Sequence, residues 1–276
     1  MTESQTPAAT VIAPETKGYV EYEIDIEKVL RNELPQVVAK IDLAPLTAAS
    51  VNAIPEGAKG AYVLFVDGYP VYAGKTDTRH GFRDRLNRHA FTIQNRRNLD
   101  PSAIAFIAIR ILVFSNFDVE AILIDAMRKA DENALAWNDS GFGSNDPGHN
   151  RETQRPADFD VSYPINIDRQ LHLVEAGSHE LLPLLIALKQ LLPYDLRYET
   201  DLKLGSEDKY INYRKGHVDQ RAAPPVNVNN ADTTRTLLCK IMAALPPGWR
   251  TTVFPGRIIL YKEPTTYRYA LESFAE

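Results

Sequence analysis

The feature that most constrains this chain is an Asp67-Gly68 pair set between two apolar runs, GAYVLFV (60–66) and YPVYAG (69–74). Asp-Gly tolerates the positive φ angles of a primed two-residue turn, and a primed turn matches the twist of the strands it joins. The stretch therefore predicts an antiparallel hairpin. Strand periodicity puts Tyr62 on a face with Leu64 and Val66, and Tyr72 on one with Pro70 and Gly74. The two tyrosines are brought near one another, and Gly74 leaves room for a ligand or another backbone to approach.

Downstream, Lys75 closes the second run, and FRDRLNRHAFTIQNRR (82–97) has helical periodicity. Arg85 and His89 lie four residues apart there, on one helical face. His89 also falls on the apolar stripe Phe82, Leu86, His89, Ile93, as a hydrogen-bonded core histidine would. The stretch AIAFIAIRILVF (103–114) predicts a buried strand. FDVEAILIDAMRKADENALAWN (117–138) predicts a helix opened by Ser115, with Asp118 as capping-box partner and Glu120 in the first turn.

Taken in order, Gly60-Ala61-Tyr62, Tyr72-Ala73-Gly74, Arg85, Glu120 and Asn138 resemble the GIY-YIG nuclease superfamily. That family carries Gly-x-Tyr and Tyr-x-Gly on paired strands, an Arg on the next helix, a metal-binding Glu early on a later helix and then an Asn. The Arg-x-x-x-His pair and the loop GFGSNDPGHNRETQ (141–154) are similar to one branch, the type II restriction endonucleases that recognise CCGCGG. The connection TDTRHGF (76–82) is shorter than expected in that branch, and RPADFDVSYPIN (155–166) departs from its character.

The resemblance implies an α+β nuclease core, a small mixed or antiparallel three-stranded sheet flanked by helices. It implies a metal-dependent endonuclease acting on double-stranded DNA in host defence. Its catalytic set would be Tyr62, Tyr72, Arg85, His89, Glu120 and Asn138. Glu120 would hold Mg²⁺ or Mn²⁺ through one carboxylate, and Arg85 would clamp the scissile phosphate. Tyr62 or His89 would serve as base. An ordinary phenol is a poor base at neutral pH, so Tyr62 would need the metal, Arg85 or His89. Tyr72 and Asn138 would position water, phosphate or Glu120. Two strands cut at a palindrome imply a homodimer, and restriction implies a partner DNA methyltransferase. An antiphage effector without a methyltransferase, or a non-catalytic DNA-binding or assembly protein, would use the same fold.

Lys75, Arg88, Arg96, Arg97 and Arg151 are the expected DNA contacts. Arg96-Arg97 is the pair expected to touch phosphates outside the active site, or else to form a solvated helix end. The net charge of -5 argues against a chain coated in DNA, so local charge has to serve. The single Cys239 leaves no internal disulfide and no cysteine-based zinc site, as expected in a reducing cytoplasm. No apolar run spans a bilayer and no cleavable leader is visible.

The expected organisation has three parts. Residues 1–17 form a flexible tail. Residues 18–160 form the nuclease domain, with an N-terminal arm in which YVEYEID (19–25) is an extra strand for the nuclease sheet or a dimer, followed by a short helix ending near Leu34-Pro35. Residues 161–276 form an α+β accessory domain for recognition or oligomerisation. Within it HELLPLLIALKQLLPYDLRYE (179–199) reads as an apolar helix running into a strand-like tail, and TTRTLLCKIMAALPPGWRTTVFPGRIILYKE (233–263) as a helix, a Leu-Pro break and two strands turning at Pro255-Gly256, a weak internal repeat or a coincidence. Between them, residues 213–232 predict an exposed loop offering Arg214, Lys215 and Arg221.

Overall fold

The computed structural model describes residues 9–12, 21–77, 79–110, 119–143, 152–201 and 212–275. The chain is mixed α+β, with predominantly antiparallel sheets. Among the described residues no helix is long and apolar enough to cross a membrane. Two compact units are present: residues 1–90 with 100–139, and residues 91–99 with 140–276. The division thus falls near Asp139, ahead of the boundary expected at 160, and residues 91–99 belong with the C-terminal unit. The expected helix cap at Ser115 and Asp118, the expected DNA contact Arg151, and most of the loop 141–154 lie outside the described residues.

In the first unit, β1 (Ala9–Ile12) pairs antiparallel with β2 (Glu21–Ile24). This corrects two expectations: residues 9–12 are a strand within the supposed tail, and the YVEYEID strand pairs with them rather than completing the main sheet. Helix α1 (Ile26–Val38) is capped by Asp25, whose carboxylate accepts from Lys28 N at 2.9 Å. It runs through Pro35 instead of stopping there. An interior proline costs about 3 kcal/mol, and burial of Leu34, with Leu30 and Val38 packed on the same core, offsets it.

The main sheet has the order β3-β6-β4-β5, built from β3 (Ala44–Pro45), β4 (Ala61–Val66), β5 (Tyr69–Lys75) and β6 (Ile104–Ile109). The short β3 adds a fourth strand to the three expected. Asp67 and Gly68 have φ of 50° and 80°, both in the region a primed turn requires. A bulge after Leu64 leaves Phe65 opposite Pro70, so Pro70 does not share the Tyr72 face. Ala61, Val63, Phe65, Ala73, Ile107 and Ile109 form one side of the sheet, covered by Leu34 of α1 and by Ile122 and Leu123 of α4 (Val119–Ala130). Helix α2 (Ala48–Asn52) precedes β4, and α3 (Phe82–Gln94) follows β5. The expected long helix 117–138 ends at Ala130. Leu135 then adopts φ 63°, and α5 (Ala136–Asp139) starts a new direction.

In the second unit, the order β12-β10-β11-β8 links β8 (Asp195–Tyr198), β10 (Arg250–Val253), β11 (Arg257–Tyr261) and β12 (Glu272–Ala275), with only β8 and β11 parallel. Helices α7 (Leu181–Leu191) and α9 (Thr234–Ala244) bury Leu184, Leu185, Leu188, Leu238 and Ile241 with sheet residues Leu196, Ile258 and Leu260. Both helices end the same way: Leu192 and Leu245 turn extended, ψ 145° and 151°, ahead of a proline. Each is preceded by a short strand, β7 (Gly177–His179) and β9 (Val226–Val228), and these pair antiparallel. Helix α6 (Asp158–Ser162) completes the inventory with α8 (Val218–Ala222), whose capping box joins His217 and Gln220. The expected loop 213–232 is therefore folded. Arg221 donates to the carbonyls of Lys215 and Gly216 and to Asp201, which removes it as a free DNA contact.

Candidate active site

The hairpin register sets the site. Tyr62 lies opposite Gly74 on β5 and opposite Ala108 on β6, so its ring is flanked by the two smallest partners available. A Cβ on Gly74 would sit 2.7 Å from Tyr62 Oη and 2.8 Å from Tyr72 Cε1. The close approach that Gly74 permits is that of the two tyrosine rings, not of a foreign backbone. Just ahead of β4, a Cβ on Gly60 would lie 2.1 Å from the Ile109 carbonyl oxygen. Both motif glycines are required by packing that brings Tyr62 and Tyr72 to a centroid separation of 6.1 Å.

Helix α3 supplies the third ring. Phe82 N donates to the Ala58 carbonyl at 3.0 Å and Arg83 Nε to the Ile54 carbonyl at 2.7 Å, which anchors the start of the helix beside β4. Phe82, Leu86, His89 and Ile93 are all buried, as their spacing predicts. His89 Nε2 is 2.8 Å from Tyr62 Oη, and its ring centroid lies 5.3 Å from that of Tyr72. Core histidine and hydrogen-bonded tyrosine partner are thus the same residue.

Burial dominates the electrostatics. It pushes the Tyr62 hydroxyl well above the ordinary phenol range, with neighbouring Tyr72 adding to the shift. It raises Tyr72 too, and the Glu120 charge adds to that. His89 is held down to about 3 by burial, helped by the positive charges of Arg85 and Arg88. At neutral pH the imidazole is therefore uncharged, and with Nδ1 protonated its Nε2 accepts the Tyr62 O–H.

Arg85 sits one turn before His89, and its charge acts on Tyr62, Tyr72 and His89 alike. Its Nε is buried and makes no hydrogen bond. An unmet buried donor costs about 1–3 kcal/mol, a cost that an incoming anionic oxygen would remove. Arg88 is exposed on the same helix.

Glu120 occupies the first turn of α4, where the helix dipole favours a carboxylate. Its Oε2 is 3.7 Å from Lys75 Nζ, an ion pair that sequence spacing could not announce. No group of three or more His, Cys, Asp or Glu side chains converges among the described residues. A single partly exposed carboxylate whose charge reaches the tyrosines fits Mg²⁺, which commonly takes one or two protein carboxylates and fills its other positions with water and phosphate.

Asn138 is committed to the backbone. Its Oδ1 accepts from Ala73 N and its Nδ2 donates to the Ala73 carbonyl, both at 2.8 Å. It completes the open edge of β5 between Tyr72 and Gly74, and so positions the strand. Leu135 N also donates to the Pro70 carbonyl at 3.0 Å, tying the α4–α5 connection to the same edge.

At Arg96-Arg97, where phosphate contacts are expected, both side chains have carboxylate partners. Arg96 Nη1 donates to Asp160 Oδ1 at 2.7 Å and to the Tyr163 carbonyl at 3.1 Å, and its guanidinium stacks over Phe159. The side chain is 9% exposed. Arg97 donates to Asp168 at 2.8 Å, an acid it shares with Arg235. These guanidiniums stabilise the second unit, because carboxylates distant in sequence meet them there.

No family model matches this chain, and no curated protein sequence matches it.

Proposed function

We propose that this chain is a metal-dependent DNA endonuclease of the GIY-YIG type, most simply a restriction enzyme that acts as a homodimer beside a DNA methyltransferase. One observation carries the reading. A buried Tyr62–His89 hydrogen bond lies beside an arginine with an unmet donor, on the hairpin whose end reaches a half-exposed glutamate.

Phosphodiester hydrolysis requires activated water and positive charge where the phosphate gains negative charge. Tyr62 as a lone phenolate is disfavoured by its raised pKa. Paired with neutral His89 it has a route: water gives a proton to Tyr62 Oη as Tyr62 gives its own to His89 Nε2. Imidazolium is costly in this site, and the anionic phosphate held by Arg85 lowers that cost. Mg²⁺ bound at Glu120 would supply Lewis-acid charge to the phosphate and leaving oxygen. Asn138 fixes the β5 edge, and Tyr72 packs its ring against His89.

The test is cleavage of unmethylated plasmid and phage DNA by purified protein with Mg²⁺, alongside Glu120→Ala and a metal-free control. Discrete fragments lost in both controls are expected. Uniform nicking would identify a non-specific antiphage nuclease instead. Binding without cutting on every DNA would overturn the catalytic reading in favour of a DNA-binding or assembly protein.

A further inference from the structure

The Lys75–Glu120 ion pair has a consequence for metal binding, and it rests on the nuclease reading. Lys75 ends β5 opposite Ala61, on the side of the sheet that α4 covers, while Tyr72 and Gly74 share the tyrosine side. Its ammonium lies 3.7 Å from the Glu120 carboxylate, and both side chains are partly in solvent. The α4 N-terminus adds a second positive contribution at the same carboxylate. A divalent cation approaching Glu120 therefore meets a site already neutralised, and the neighbouring ammonium repels it. A DNA phosphate changes this balance, because it offers the ammonium another anion within reach of a four-carbon side chain.

We infer that Lys75 is a charge-balancing residue that makes divalent-cation binding at Glu120 conditional on DNA. In the free protein the ammonium holds the carboxylate. On DNA it moves to a backbone phosphate and leaves Glu120 to the metal. Metal and DNA then strengthen each other's binding by the same factor, as linkage requires.

The experiment measures Mn²⁺ binding to the full chain by loss of the free-ion paramagnetic resonance signal, without DNA and with a phosphorothioate-substituted duplex. Four proteins are compared: wild type, Lys75→Met, Lys75→Arg and Glu120→Gln. Without DNA, Lys75→Met should bind Mn²⁺ roughly two- to tenfold more tightly than wild type, the range for a solvent-screened pair acting on a divalent ion. Lys75→Arg keeps the charge and should stay near wild type, which separates charge from packing. The duplex should tighten Mn²⁺ binding in wild type and much less in Lys75→Met. Unchanged or weaker binding by Lys75→Met, with binding lost in Glu120→Gln, overturns the inference but leaves Glu120 as the metal ligand. Wild-type binding by Glu120→Gln overturns the inference and the metal assignment of the nuclease reading together.

Discussion

Each unit packs helices on a four-stranded sheet, and each buries tyrosines in doing so, yet the tyrosines end differently. In the second unit Tyr194 donates to Thr234 Oγ1 and Tyr198 to the Tyr213 carbonyl, both at 2.8 Å. Those acceptors cannot take a proton. In the first unit the Tyr62 hydroxyl meets a neutral imidazole that can. The arginines do not divide so cleanly: Arg96 and Arg235 pair with carboxylates, while buried guanidinium nitrogens that make no hydrogen bond occur in both units, at Arg85 Nε in the first and at Arg250 Nε in the second. Burial by itself therefore does not mark a functional tyrosine; the acceptor of its hydrogen bond distinguishes Tyr62 from Tyr194 and Tyr198.

The largest effect that could break this contrast is at the two arginines. Arg85→Ala should lower single-turnover cleavage about 10²–10³-fold, the usual cost of losing a transition-state donor, with the midpoint of urea unfolding nearly unchanged. Arg96→Ala should do the reverse. It leaves Asp160 unpaired beside Gly256, whose Cα is close enough that a Cβ would lie 2.2 Å from Asp160 Oδ2. Unfolding free energy should fall by about 3 kcal/mol, while cleavage of folded protein at low temperature falls less than about tenfold. A destabilised Arg85→Ala with normal cleavage would reverse the assignment of roles.

The contrast also explains what the sequence could announce. The Asp67-Gly68 turn, the tyrosine pairing across Gly74 and the shared face of Arg85 and His89 are set by neighbours a few residues away, so period and turn chemistry expose them. The fates of Arg96 and Arg97 depend on Asp160 and Asp168, more than 60 residues on, and no local pattern encodes such a partner. Asn138 reaches Ala73 from beyond the predicted long helix, which stops at Ala130 and is followed by a turn with Leu135 at a left-handed φ. Helix α1 continues past Pro35 for a tertiary reason as well, the burial of Leu34. The ends of helices α7 and α9, by contrast, were legible: a Leu-Pro step after each forces the extended exit seen at Leu192 and Leu245.

Acid should separate the units next. His89 is buried neutral with its pKa lowered to about 3, against an ordinary value near 6.5. Between these values the unfolded chain binds more protons, so stability is fully present above about 6.5 and declines as pH falls towards 3. About two units of that window are crossed at pH 4.5, so His89 alone should cost the first unit about 2–3 kcal/mol there. Calorimetry or amide exchange of wild type and His89→Gln across pH 4.5–7 measures it. The variant should lose that part of the slope in the first unit, and equal slopes would remove the neutral-histidine account. For the same reason the proposed cleavage should not be gated by His89 near neutrality; an acid limb due to His89 is expected well below pH 6.

A smaller effect concerns the sheet edges. In the first unit β5 is closed by the two Asn138 bonds to Ala73. Asn138→Ala leaves a partly buried N–H and C=O unpaired, which should cost about 1–3 kcal/mol. It should also lower kcat, because β5 carries Tyr72. In the second unit the edge strand β12 is held through Glu272 by Arg235 at 2.6 and 2.8 Å, nearer solvent. Glu272→Gln should cost about 1 kcal/mol or less and leave kcat alone. A variant pair with equal costs and equal kcat would mean that the Asn138 edge serves stability only.

The smallest effect sharpens the tyrosine comparison itself. Tyr198→Phe deletes one hydrogen bond to a carbonyl inside the second unit, which should cost about 1 kcal/mol. Cleavage by the folded protein should not change. Tyr62→Phe deletes a bond of equal length to His89 and the hydroxyl's interaction with Tyr72, so it should lose at least as much stability, measured by urea midpoint at constant m-value. On the proposed mechanism their rates should then diverge, because only Tyr62 has a basic nitrogen, His89 Nε2, as the acceptor of its O–H. Matching rates in the two variants would reduce Tyr62 to a second satisfied core tyrosine, and the contrast between the units would reduce to packing.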